Sequence, residues 1–284
     1  MPETPVILGV LENHGLEDEA CAFRDGATCT TSPGRIRGRF NCSVEGCAFT
    51  SNYTDAEEGE HATVVALIAA GNYLQSQASG VSFGVGLPVG WESEAAGFGP
   101  EIEFDRFRGA SATALIPAYA CASDAVGTVA QCAALDVTIQ ANGVPDNNCD
   151  PASQLNYEAA VQNAWDGGLL PVIITHDGGA NGCWVRSPAD IPKAFSVGAV
   201  DPDEELPYSS WPHAAYSNRG PADVQVGAIL RYDVTSIVDL VAAGTPIFVT
   251  FARGSYGTVE PSGAPASASG TSFAGPQVAA TALL

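Results

Sequence analysis

Four histidines are present in the 284 residues, and one of them, His61, opens an Ala- and Val-rich stretch of helical period, His61-Ala-Thr-Val-Val-Ala-Leu-Ile-Ala-Ala70. A second helix mouth lies near the end of the sequence, where Gly270-Thr-Ser-Phe-Ala-Gly-Pro276 leads into an apolar run. A serine at such a mouth sits beside backbone N–H groups that lack an intrahelical partner and beside the positive end of the helix dipole, and together these stabilise an oxyanion formed there. Ser272 is therefore in a position that suits a nucleophile. It is equally in the position of an N-cap, which is the simpler reading of Ser272 or Thr271 taken alone. A third group of interest, Glu12, closes the first apolar run, Pro5-Val-Ile-Leu-Gly-Val-Leu11. Hydroxyl, imidazole and carboxylate are the groups that acyl transfer through a covalent intermediate requires.

The elements that must position these groups follow from periodicity. Apolar strand-sized runs at 5–11, 135–139, 169–175, 195–200 and 238–241 alternate with helical stretches at 61–70, 157–166 and 271–284. That alternation is the pattern of an α/β domain with a parallel sheet. Gly167-Gly168 stops the second of those helices. Long segments without clear period separate the elements, at about 16–58, 71–108, 140–154 and 202–237. Loops of such length bind something or are held by cross-links. No internal repeat or linker divides the chain, so one domain spanning 1–284 is expected.

Composition removes several function classes. The net charge of −21 arises from 32 Asp+Glu against 11 Lys+Arg, with Lys193 the one lysine. Such a chain repels phosphate backbones and anionic lipid, so neither nucleic acid nor a membrane surface is expected as a partner. No apolar run reaches the length of a transmembrane helix, and the first residues lack the basic and apolar regions of a signal peptide. The 8 cysteines are even in number. Cys21, Cys29, Cys42 and Cys47 cluster, but their spacing does not match the paired knuckles of a zinc ribbon. We read disulfides, hence an oxidising, secreted or periplasmic setting with any leader outside this sequence. The pairing is left open.

The string Gly270-Thr-Ser-Phe-Ala-Gly-Pro276 with Val278-Ala279 resembles the serine signature of the subtilases, G-T-S-x-A-x-P followed by V-A. His61-Ala-Thr-Val-Val-Ala66 resembles the family's H-G-T-H-V-A helix, with Ala62 and Val64 replacing Gly and the second His. The resemblance implies a subtilisin-like three-layer fold, in which a central, mostly parallel sheet is flanked by helices. It also implies a Ser-His-acid triad of Ser272, His61 and Glu12, the glutamate standing where the family has aspartate. Glu17, Asp18 and Glu19 are the alternatives for the acid. His14, His176 and His213 lack the motif context. At the oxyanion position the register puts Asp177 where the family has asparagine, with Asn181 four residues on as the other candidate donor.

Asp136-Val-Thr-Ile-Gln-Ala-Asn-Gly143 is similar to the family strand whose edge pairs with an extended peptide. Ile139, Gln140, Ala141, Asn142 and Gly143 are accordingly expected to bind substrate by strand addition. Ser187–Asp201, Tyr216–Pro221 and Val238–Gly244 resemble structural landmarks of the family. The resemblance also implies helical structure beyond Leu284, so the domain reads as truncated there and enlarged by insertions at about 16–58, 71–108 and 202–237. No cofactor is required for this chemistry. The oxygen-rich Asp146-Asn-Asn-Cys-Asp150 suits structural calcium, although a solvated polar loop is the simpler reading. The expected function is that of a serine endopeptidase acting on a peptide or protein substrate.

Overall fold

The computed structural model describes residues 6–14, 36–51, 60–71, 74–77, 81–86, 103–109, 112–123, 134–142, 155–179, 185, 188–203, 205–219, 222–226, 229–234, 238–245, 247–250, 252–253, 256–257 and 266–284. In chain order these form β1 (Ile7–Glu12), β2 (Ile36–Ser43), β3 (Gly46–Phe49), α1 (Glu60–Ala70), β4 (Leu74–Gln77), β5 (Val81–Gly86), β6 (Glu103–Gly109), α2 (Ala112–Ala122), β7 (Val137–Gln140) and α3 (Leu155–Asp166). There follow β8 (Leu170–Ile174), β9 (Phe195–Val200), β10 (Ala222–Val226), β11 (Ile229–Val234), β12 (Leu240–Ala243), β13 (Ile247–Thr250), β14 (Ala252–Arg253), β15 (Tyr256–Gly257), β16 (Ala266–Ala268) and α4 (Thr271–Thr281).

The five apolar runs read from the sequence become β1, β7, β8, β9 and β12, which lie side by side in an 8-stranded sheet of order β12-β9-β8-β7-β1-β6-β2-β3. All its pairings are parallel except the β2–β3 hairpin. β1, β7, β8 and β9 are buried on both faces beneath helices, which accounts for their apolar runs, whereas the edge strand β12 is partly exposed. Successive side chains of β1 go to opposite faces. Leu8 and Val10 join the core that holds α1 and α4, whereas Ile7 and Leu11 join the core that holds α2 and α3. The expected three layers are present. Among the described residues no helix is long and apolar enough to cross a membrane.

Two segments read as insertions contribute to this sheet: 16–58 contains β2 and β3, and 71–108 contains most of β6, which pairs directly with β1. Their inward residues alternate with arginines, as in Ile36-Arg-Gly-Arg-Phe40, so no apolar run marks them. Similarly, Pro117 lies inside α2 and interrupts its helical pattern. The segment at 202–237 holds the antiparallel pair β10–β11.

Within the first cysteine group, Cys42 and Cys47 face each other across the β2–β3 hairpin and form a disulfide. This rules out a zinc site using all four of those cysteines. Cys121 is disulfide-bonded as well. Cys21, Cys29, Cys132, Cys149 and Cys183 lie outside the described residues, as do Gly143, Asn181 and the loop at 146–150.

Candidate active site

In this sheet the chain leaves β1 to build β2 and β6 on one side, then crosses back to β7 on the other. Ligands of open α/β sheets bind outside the carboxyl ends of strands at such a reversal. Glu12 is the last residue of β1, on the same face as Leu8 and Val10, and so points toward the side where α1 begins. Its side chain is only 3% exposed, and Oε1 lies 3.1 Å from Nδ1 of His61, whose side chain is 46% exposed. This is ion-pair distance, although Oε1 accepts no aligned hydrogen bond. The second oxygen, Oε2, accepts a hydrogen bond of 3.3 Å from the backbone N–H of Asn13.

Ser272 is the second residue of α4 and is buried. The ring of the next residue, Phe273, is 5.9 Å from the His61 ring, so the starts of α1 and α4 lie together. The Ser272 hydroxyl donates to the carbonyl of Ala141 at 3.0 Å. Since a hydroxyl has one proton, that bond occupies the donor that His61 would accept from. Gly275 explains how α4 seats so closely on the sheet: a Cβ there would lie 2.7 Å from both Ile139 Cδ1 and Ile174 Cγ2.

Asp177 stands three residues beyond β8. His176 takes a positive φ of 80°, a turn conformation uncommon outside glycine, and its carbonyl accepts the N–H of Asn218 at 2.9 Å. The turn brings the exposed Asp177 to the mouth of α4, where Oδ1 accepts the backbone N–H of Thr271 at 2.8 Å and its hydroxyl at 2.9 Å. A carboxylate here satisfies one orphan donor and complements the dipole, as a helix cap does. Of the first three N–H groups of α4, that of Thr271 goes to Asp177 and that of Phe273 to Gly270. The N–H of Ser272 has no partner among the described residues.

β7 lies between β1 and β8, with 137–140 paired to both. Ile139 and Gln140 are fully buried, so strand addition by a substrate is closed to them. The expectation for these two residues is corrected: only Ala141 and Asn142, past the strand end, lie where a peptide could pair among the described residues. The sequence reading overlooked the Thr271–Asp177 cap, the Ala141 carbonyl and Asn13. Only Asn13, adjacent to Glu12, carried any signal. Among the described residues no three His, Cys, Asp or Glu side chains group to hold a metal ion.

A carboxylate, an imidazole and a helix-mouth serine gathered at the carboxyl ends of a parallel sheet define the layout of a serine hydrolase. The subtilase family matches residues 48–284, and the chain belongs to that family as a subtilisin-like serine peptidase. Glu12 lies before the matched stretch. No curated protein matches the chain. Among solved structures, the S41 psychrophilic protease is similar with a TM-score of 0.61 and 18% identity, covering 99% of this chain and 76% of that one. Sphericase gives 0.61 and 17% over 99% and 79%. The prenylagaramide maturation protease PagA gives 0.57 and 17% over 98% and 74%. At such identities the likeness concerns the fold.

Proposed function

We propose that the chain hydrolyses peptide bonds by acyl transfer through Ser272, with His61 as general base and Glu12 as the group that orients the imidazole. The observation that carries this reading is the 3.1 Å approach of His61 Nδ1 to the buried Glu12 carboxylate, beside the mouth of the Ser272 helix. With Nδ1 3.1 Å from the acid, we assign Nε2 as the nitrogen that takes the Ser272 proton. The hydroxyl first leaves the Ala141 carbonyl, transfers its proton to His61 and attacks the substrate carbonyl. His61 then protonates the departing amine, and water releases the acyl group with His61 again as base.

The N–H of Ser272, without a partner among the described residues, serves as one oxyanion donor. Because Asp177 accepts two hydrogen bonds from Thr271, we assign it as the cap of α4 and assign Asn181 as the amide donor. The negative charge of Asp177 at the helix mouth opposes a developing oxyanion. This favours a slow enzyme of narrow specificity over a broad degradative one, since a compromised oxyanion hole costs on the order of 100- to 1000-fold in rate. The rival reading, an inactive subtilase-like binding module, draws on the same carboxylate. The cross-linked β2–β3 hairpin supports an oxidising compartment. A fluorophosphonate probe separates the readings. Folded wild type is expected to be labelled and Ser272→Ala to lose labelling completely; an unlabelled wild type would sink the peptidase mechanism.

A further inference from the structure

On the sheet face opposite His61, a line of hydrogen bonds leads to the acid. The fully buried Tyr119 of α2 donates its hydroxyl to Gln140 Oε1 at 2.8 Å. Gln140 Nε2, buried at the end of β7, donates to the carbonyl of Asn142 at 2.9 Å. Asn142 Nδ2 donates to Asn13 Oδ1 at 2.8 Å. Asn13 N–H finally donates to Glu12 Oε2 at 3.3 Å. All four bonds are donated in the same direction, toward the carboxylate. Burial raises the pKa of the Tyr119 hydroxyl far above the usual phenol range, so the first group in the line remains a donor.

We infer that Tyr119, Gln140, Asn142 and Asn13 form a positioning strut for Glu12, an inference that rests on the triad reading above. A glutamate has one more rotatable bond than the family's aspartate and must be restrained to hold an imidazole. Among the described residues the Glu12 carboxylate meets Asn13 through a long bond and His61 through Oε1 off line. Asn13 follows the end of β1, so its placement depends on the pin from Asn142. The same pin fixes the segment whose Ala141 carbonyl accepts the Ser272 hydroxyl. One line, anchored on the buried Tyr119 of α2 and ending at the exposed Asn13, therefore sets both the acid and the resting nucleophile. At the buried end, removing the Tyr119 hydroxyl takes from Gln140 Oε1 its donor in a low dielectric and loosens the residues that follow it.

The test is a double-mutant cycle on the full chain. Tyr119→Phe and Asn13→Ala, made singly, are each expected to lower kcat for a fluorogenic peptide about tenfold with KM within about twofold. In a Glu12→Gln background neither should lower kcat further, because the strut acts through the acid. Unchanged kcat in both single variants overturns the inference. Full additive loss in the Glu12→Gln background also overturns it, since that is the mark of a purely structural effect. If Glu12→Gln itself keeps wild-type kcat, the acid assignment falls and the strut with it, an outcome distinguishable from the other two. Should Tyr119→Phe fail to fold, Asn13→Ala at the exposed end of the line carries the test.

Discussion

Glu12 and Asp177 are both carboxylates beyond or at the carboxyl ends of parallel strands, β1 and β8, separated in the sheet by β7 alone. One is buried against an imidazole, and the other is exposed and accepts the N–H and hydroxyl at a helix mouth. Equivalent stations in the fold have thus received opposite tasks. What differs is the partner each strand end meets: α1 presents an imidazole to Glu12, whereas α4 presents the N–H and hydroxyl of Thr271 to Asp177. Residue type at the station does not decide the role. Under the proposed mechanism the first carboxylate orients a base, while the second caps the helix that carries the nucleophile.

The strongest break in this comparison comes from Glu12→Gln. An amide in place of the triad acid is expected to lower kcat roughly 10⁴-fold with the fold intact, measured with a fluorogenic peptide and circular dichroism. A loss below tenfold would move the acid to Glu17, Asp18 or Glu19. Both halves share the seat of α4, so Gly275→Ala should damage both together. Its Cβ would meet two isoleucines at 2.7 Å, and overpacking of that kind costs about 2 kcal/mol, visible as a lower thermal midpoint alongside reduced labelling. Asp177→Asn removes the charge and supplies an amide. If Asp177 opposes the oxyanion, phosphonate labelling should quicken about tenfold; an unchanged rate would show that the exposed carboxylate does not bear on the hole. Asp177→Ala has the smallest expected effect, a stability loss of about 1 kcal/mol from the missing cap, read by chemical denaturation.

The strands from β1 to β9 in one half of the sheet were legible because strands covered on both faces must be largely apolar, as in Leu170-Pro-Val-Ile-Ile174, and the partly exposed edge strand β12 happens to be apolar as well. The other half was not, since β2 alternates its buried Ile36, Gly38, Phe40 and Cys42 with polar residues, and one of those four inward positions, Gly38, carries no side chain to give an apolar signal. At the site, Ser272 and His61 were visible through local motifs that each occupy one helix mouth. Their partners belong to tertiary contacts instead. The Thr271–Asp177 pair spans 94 positions and the Asn142–Asn13 pair 129, separations at which no local pattern specifies a partner. The strand-addition expectation failed at Ile139 and Gln140 for a related reason: an apolar run does not reveal whether a strand lies at the edge of a sheet or inside it.

The disulfide between Cys42 and Cys47 bears on association rather than catalysis. A sheet edge presents unpaired N–H and C=O groups that can recruit a strand from another chain. In this sheet one such edge is β3, four residues long, with Phe49 on its margin half-exposed. Because Cys47 is bonded across the ladder to Cys42, the turn end of β3 is held on the longer β2 beneath it. The cross-link acts as a guard on the rim, holding a short, poor template in front of a long, good one wherever the surroundings keep thiols oxidised.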